Sequence, residues 1–121
     1  MRTCLVVDDS RVVRKVASRI VEALAFEPLE AADGLEALGV CRAAMPDAIL
    51  IDWAMPVMDG VEFVRQLRRE PQGDKPVVVF CSAETMPDRI ATALDAGVDE
   101  YVMKPFDADI IASKFSAAGL L

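Results

Sequence analysis

Five residues could do chemistry together: Asp8, Asp9, Asp52, Ser82 and Lys104. Three are carboxylates, one is a hydroxyl and one an ammonium. Clustered carboxylates repel, so they must either protonate or hold a cation. An all-oxygen donor set without His or thiolate suits Mg²⁺, which uses few carboxylates and keeps several waters. A lysine in the same cluster is redundant for metal binding, because it offsets the same charge. It makes sense if a second anion visits, and a phosphoryl group fits: one oxygen for the metal, one for Lys104 and one for the Ser82 hydroxyl. The nucleophile would then be a carboxylate. Asp52, in the middle of the set, is the best candidate.

These residues come together only if the fold gathers them. Each follows or ends a short apolar run: Thr3–Val7 before Asp8-Asp9, Ala48–Ile51 before Asp52, Val77–Cys81 before Ser82 and Glu100–Met103 before Lys104. A weaker run, Pro28–Ala31, completes five strands, and its proline belongs at a sheet edge. Between the runs lie helical patterns. Ser10 caps the first, with Val13, Val16, Ala17, Ile20 and Leu24 recurring at helical spacing. Others span Leu35–Ala44, Val61–Arg69 and Pro87–Ala96, the last closed by Gly97. Asp107 caps the final helix, which turns Ile111 and Phe115 inward. Strands alternating with helices predict an α/β fold: a parallel sheet with helices on both faces. Such sheets bind ligands beyond the carboxyl ends of their strands, near the switch in strand order. All five residues fall on that edge.

Composition narrows the function classes. With 121 residues the chain predicts one domain, 1–121, and 54% apolar content excludes a mainly disordered chain. Twenty acids against 13 bases give a net charge of −7, which argues against direct nucleic-acid binding. The absence of His removes His-ligated zinc, Ser-His-Asp triads and His phosphodonors from consideration. Cys4, Cys41 and Cys81 show no CxxC spacing and read as reduced core thiols, which suits a cytoplasmic location. The N-terminal apolar run is too short for a signal peptide or a membrane span.

The sequence resembles the receiver domain of bacterial response regulators, of the stand-alone chemotaxis type, over its whole length. The residues that carry the resemblance are VVDDS at 6–10, DWAMPVMDG at 52–60, FCSAE at 80–84 and YVMKPF at 101–106. Ser82 and Lys104 follow Asp52 at intervals of 30 and 52 residues, the usual intervals in receivers. Each motif alone is weak; all of them in order are specific. The resemblance implies a flavodoxin-like, doubly wound sheet of order 2-1-3-4-5 and a role in two-component or phosphorelay signal transduction. It makes Asp52 the phosphoacceptor. Asp9 becomes a direct Mg²⁺ ligand, Asp8 one acting mainly through water, and the Ala54 carbonyl a further ligand. Lys104 would bind a phosphoryl oxygen, and Pro105 would follow a cis bond. Ser82 would be the switch hydroxyl, with Tyr101 the aromatic that moves with it. Ala54 and Glu84 would tune how readily water reaches the aspartyl phosphate.

Such a phosphoprotein is not an enzyme in the ordinary sense, since it catalyses only its own phosphorylation and dephosphorylation. The implied donor is a histidine kinase or a histidine phosphotransfer protein. The implied output is a downstream effector protein that reads the helix at 87–96, the strand at 100–103 and the final helix, because no output domain follows. Two alternatives stand beside this reading: a phosphorylation-independent adapter, and a phosphate sink or relay intermediate. Retention of all five residues weighs against the adapter. Arg11, Arg14, Lys15 and Arg19 form either a solvated face or a docking site for the donor. Ile110 lies off the final helix's inward stripe. Trp53 sits beside the site, either with a role there or as a partly covered structural aromatic, and Met45, Met55, Met58, Met86 and Met103 are expected to be filler.

Overall fold

The computed structural model describes residues 1–121. The chain alternates without exception: β1 (Thr3–Val7), α1 (Arg11–Ala23), β2 (Glu27–Ala31), α2 (Gly34–Ala43), β3 (Ala48–Asp52), α3 (Gly60–Leu67), β4 (Val77–Ser82), α4 (Pro87–Ala96), β5 (Glu100–Met103) and α5 (Ala108–Ala117). The strands form one sheet of order β2-β1-β3-β4-β5, with every pair parallel. This is the expected α/β architecture, with Pro28 on the edge strand.

The apolar runs are continuous because both faces of the sheet are covered. Successive side chains alternate sides. Leu5, Val7, Ile49, Ile51, Val78 and Phe80 pack on the α2–α3–α4 side. Cys4, Val6, Leu50, Val79, Cys81 and Val102 pack beneath α1 and α5, against Val21, Ile111 and Phe115. All three thiols are free and buried. Burial pushes the Cys4 thiol up to about 12 and the Cys41 thiol to about 11.

Helix starts follow their caps. Oxygens of Ser10, Asp33, Asp59 and Asp107 accept from the main-chain N–H three residues on, at 2.8–3.3 Å. α4 differs: it begins at Pro87 with no side-chain cap, and Ala93 is its one buried residue. Its other end is tied firmly. Gly97 stops it at φ 114°, a conformation in which a side chain is strained. Arg68 donates to the Gly97 carbonyl through Nε (3.1 Å) and Nη2 (2.7 Å). The same guanidinium donates to the carbonyls of Gly73 (3.0 Å) and Pro76 (2.8 Å) and to Asp99 (3.0 Å).

Two side-chain expectations need correction. Val16 is 50% exposed, while Val21 is fully buried in its place. α1 carries more apolar residues than its narrow buried stripe needs, so spacing alone admitted the wrong neighbour. Met86 and Met103 are exposed rather than filler, whereas Met45, Met55 and Met58 pack on the core.

Candidate functional site

The parallel register carries the strand ends to one edge. Val7 lies opposite Ala31 and Ile51, Asp52 opposite Cys81, and Ser82 opposite Met103. Strand order reverses at β1, so a crevice opens beyond the ends of β1 and β3, and Asp8 and Asp52 flank it.

Asp8 is almost wholly buried, and each of its oxygens accepts a hydrogen bond. Oδ1 accepts from the Ser10 main-chain N–H (2.8 Å), and Oδ2 accepts from Lys104 Nζ (3.1 Å). Its carbonyl accepts from Arg14 (2.7 Å). Asp52, the last residue of β3, is also buried, with Oδ1 3.2 Å from Lys104 Nζ. Asp9 is exposed. One carboxylate oxygen from each of Asp8, Asp9 and Asp52 falls within 4.8 Å of the others.

The charges do not balance. Burial raises the Asp52 pKa; Lys104 works against this, and the charges of Asp8 and Asp9 add to it. For Lys104, burial disfavours the ammonium, but the hydrogen bond to Asp8 and the charge of Asp52 outweigh it and raise its pKa. Lys104 therefore stays charged and bridges two of three carboxylates, leaving a local excess of negative charge. Oxygens at this spacing, all hard donors, fit a divalent cation with octahedral ligands at about 2.1 Å after small side-chain shifts.

Ser82 ends β4, and its Oγ accepts from the Glu84 N–H (3.0 Å), so the hydroxyl proton is not committed to that contact. Tyr101 is half-buried and donates from its hydroxyl to the Glu84 carbonyl (3.1 Å). Both residues thus converge on the segment just after β4. Ala54 is exposed on the wall of the cleft and Glu84 is half-buried. The Lys104-Pro105 bond is cis, as expected.

Three residues differ from the sequence reading. Trp53 is buried rather than partly covered, packed on Phe80 with centroids 5.5 Å apart. Arg14 is not part of a free basic face: it pairs with Glu30 (2.9 Å), as does Lys15 (2.8 Å), and it holds the Asp8 carbonyl. Arg89 was missed altogether. It lies over the Trp53 ring, 4.6 Å from the centroid, and pairs with Glu84 (3.3 Å). Nothing in its spacing marks it, because its role depends on how α4 packs across the end of β3. The cleft above Asp52 is open, about 820 Å³, and both Arg89 and Lys104 line it.

A family model for the response regulator receiver domain matches residues 4–116. Response regulator MprA of Mycobacterium avium is 38% identical over 113 residues, 93% of this chain and 49% of that protein. MprA of Mycobacterium tuberculosis matches at the same identity over 48% of its length. The chain thus spans about half the length of the curated relatives it matches. Among solved structures, the chemotaxis response regulator CheY4 of Vibrio cholerae superposes with a TM-score of 0.90 at 31% identity, covering 100% of this chain and 99% of that one. The receiver domain of a signal transduction histidine kinase from Syntrophus aciditrophicus gives 0.88 at 25% identity, covering 99% and 92%.

Proposed function

Because the chain belongs to the response regulator receiver domain family, we propose that it is a phosphorylation switch in which Asp52 accepts a phosphoryl group. The observation that carries this reading is the Lys104 ammonium, 3.1 Å from Asp8 and 3.2 Å from Asp52 at the switch point of the sheet. Asp8, Asp9, Asp52 and the Ala54 carbonyl would hold Mg²⁺, which when bound supplies further positive charge for the phosphoryl oxygens.

In the transfer, an Asp52 carboxylate oxygen forms a bond to phosphorus. The bond from phosphorus to the donor atom breaks, and the donor leaves with the electron pair. Asp52 exchanges no proton. The chain's task is positioning and charge. Lys104 moves from bridging two carboxylates to neutralising a phosphoryl oxygen, and the uncommitted Ser82 proton hydrogen-bonds another. Drawing Ser82 inward loads the Glu84 segment, to which Tyr101 is bonded. The altered surface of α4, β5 and α5 is then read by an effector protein. The donor is a histidine kinase or a histidine phosphotransfer protein. Ala54, too small to orient water, and Glu84 tune the lifetime of the aspartyl phosphate.

Incubation with acetyl phosphate and Mg²⁺ tests the reading. Intact-protein mass spectrometry should show one added phosphoryl group, absent from Asp52→Ala. A wild-type chain that gains no mass, although Mg²⁺ changes its Trp53 fluorescence, would overturn it.

A further inference from the structure

The cleft above Asp52 is a poor place for an anion. Asp9, Asp52, Asp59 and Glu84 line it, and the cations among its walls are Lys104 and Arg89. Lys104 sits on the floor, occupied by Asp8 and Asp52. Arg89 sits at the mouth. Three features fix it there: the first turn of α4, the Trp53 face beneath it and the Glu84 carboxylate beside it. Trp53 directly follows Asp52, so the guanidinium is anchored one residue from the phosphoacceptor. Its contact with Glu84 is through Nε, and its side chain is 60% exposed. Its terminal nitrogens make no ion pair, and the residue lines the cleft, so the fork keeps donors to spare for a bidentate oxyanion.

We infer that Arg89 is a phosphodonor-binding residue, which meets a dianionic donor at the mouth of the cleft and favours it over donors of lower charge. The inference rests on the reading of Asp52 as phosphoacceptor. For an acyl phosphate, the phosphorus–oxygen bond to the acyl group breaks and the electron pair leaves on the carboxylate. The Asp52 oxygen takes its place on phosphorus. Arg89 forms no covalent bond; it holds the donor's oxyanion while Lys104 and Ser82 receive the phosphoryl group.

The test compares rates of phosphorylation by dianionic acetyl phosphate and monoanionic phosphoramidate at pH 7 with saturating Mg²⁺. Arg89→Ala should lower the second-order rate constant for acetyl phosphate about fivefold, the effect of a solvent-exposed ionic contact. It should lower the phosphoramidate rate less, so that the ratio of the two falls. Arg89→Lys should restore part of that ratio, and raised salt should shrink the wild-type preference. Arg65→Ala, which removes an exposed charge on α3 away from the cleft, should leave the ratio unchanged. Mg²⁺ titration followed by Trp53 fluorescence checks that each variant is folded. If Arg89→Ala is not, Arg89→Gln takes its place. Equal slowing with both donors would reduce Arg89 to a cover for Trp53 and overturn the inference, as would no slowing at all. A wild-type chain that accepts phosphate from neither donor removes the phosphoacceptor reading itself, and this inference with it.

Discussion

Replacing Asp52 by Asn should make the metal-free protein more stable while removing the proposed phosphoacceptor. The carboxylate oxygens of Asp8, Asp9 and Asp52 lie within 4.8 Å of one another. At an effective dielectric constant near 20, two unit charges at that spacing repel by about 3.5 kcal/mol, so Asp52 meets about 7 kcal/mol from two neighbours. Asp9 is exposed, and screening reduces its share. Lys104, at 3.2 Å, returns about 5 kcal/mol of attraction. These contributions nearly cancel, and what remains is the cost of burying a charge, the leading cause of the raised Asp52 pKa. Asn keeps the shape and removes that cost, while Lys104 keeps Asp8 as its partner. The expected gain is about 1–2 kcal/mol in urea unfolding at pH 7 with EDTA. Mg²⁺ should then reverse or close the gap, because wild type gains about 1.4 kcal/mol at a concentration ten times its Kd and the variant gains less. An Asn variant less stable than wild type in EDTA, or one that gains as much from Mg²⁺, would refute the reasoning.

Two further predictions concern parts of the scaffold. Arg68→Ala strips partners from the carbonyls of Gly73, Pro76 and Gly97, and should cost about 2–4 kcal/mol in urea unfolding; Arg68→Lys should recover only a minor part, since an ammonium has no fork, and a loss under about 1 kcal/mol from the alanine variant would mean the knot is incidental. Glu30→Gln should cost about 0.5–1 kcal/mol at pH 7. The hydrogen bond from Lys15, then the contacts with Arg14, hold the Glu30 pKa below the usual carboxylate range. Its contribution is therefore present above about pH 4.3 and lost as pH falls through the lowered pKa, so the two proteins' urea midpoints should converge as the pH drops below that lowered value.

How much of this was legible in the sequence depends on which interactions are local. Strands and the caps Ser10 and Asp107 were legible because each apolar run stops at a polar residue and each of these caps lies three residues from the N–H it serves; Asp33 and Asp59, which also cap, stand in Asp-Gly pairs that signal turns as readily. Asp8, Asp52, Ser82 and Lys104 were legible for the same reason: they sit at or just past strand ends, and parallel pairing brings strand ends together. Val16 was misread because periodicity gives a helical stripe but not which edge of it the sheet covers. Arg14 and Arg89 escaped because their partners, Glu30 and the Asp8 carbonyl for one, Trp53 and Glu84 for the other, lie on separately placed elements. No spacing rule connects residues 53 and 89; only the seating of the first turn of α4 over Trp53 does.

The knot around Arg68 fixes how α4 can move. Its C-terminal end is clamped through the Gly97 carbonyl to the α3–β4 connection, whereas its first turn has no side-chain cap and reaches the rest of the molecule through Arg89. A ten-residue helix is about 15 Å long. Clamped at its C-terminal end, it is a lever whose fulcrum is Arg68 and whose other tip carries Arg89 on the wall of the cleft that Asp52 also lines. A tilt of about 10° carries that tip roughly 2.6 Å and the fulcrum hardly at all. Small adjustments at the tip are thereby converted into reorientation of the whole outer face of the helix.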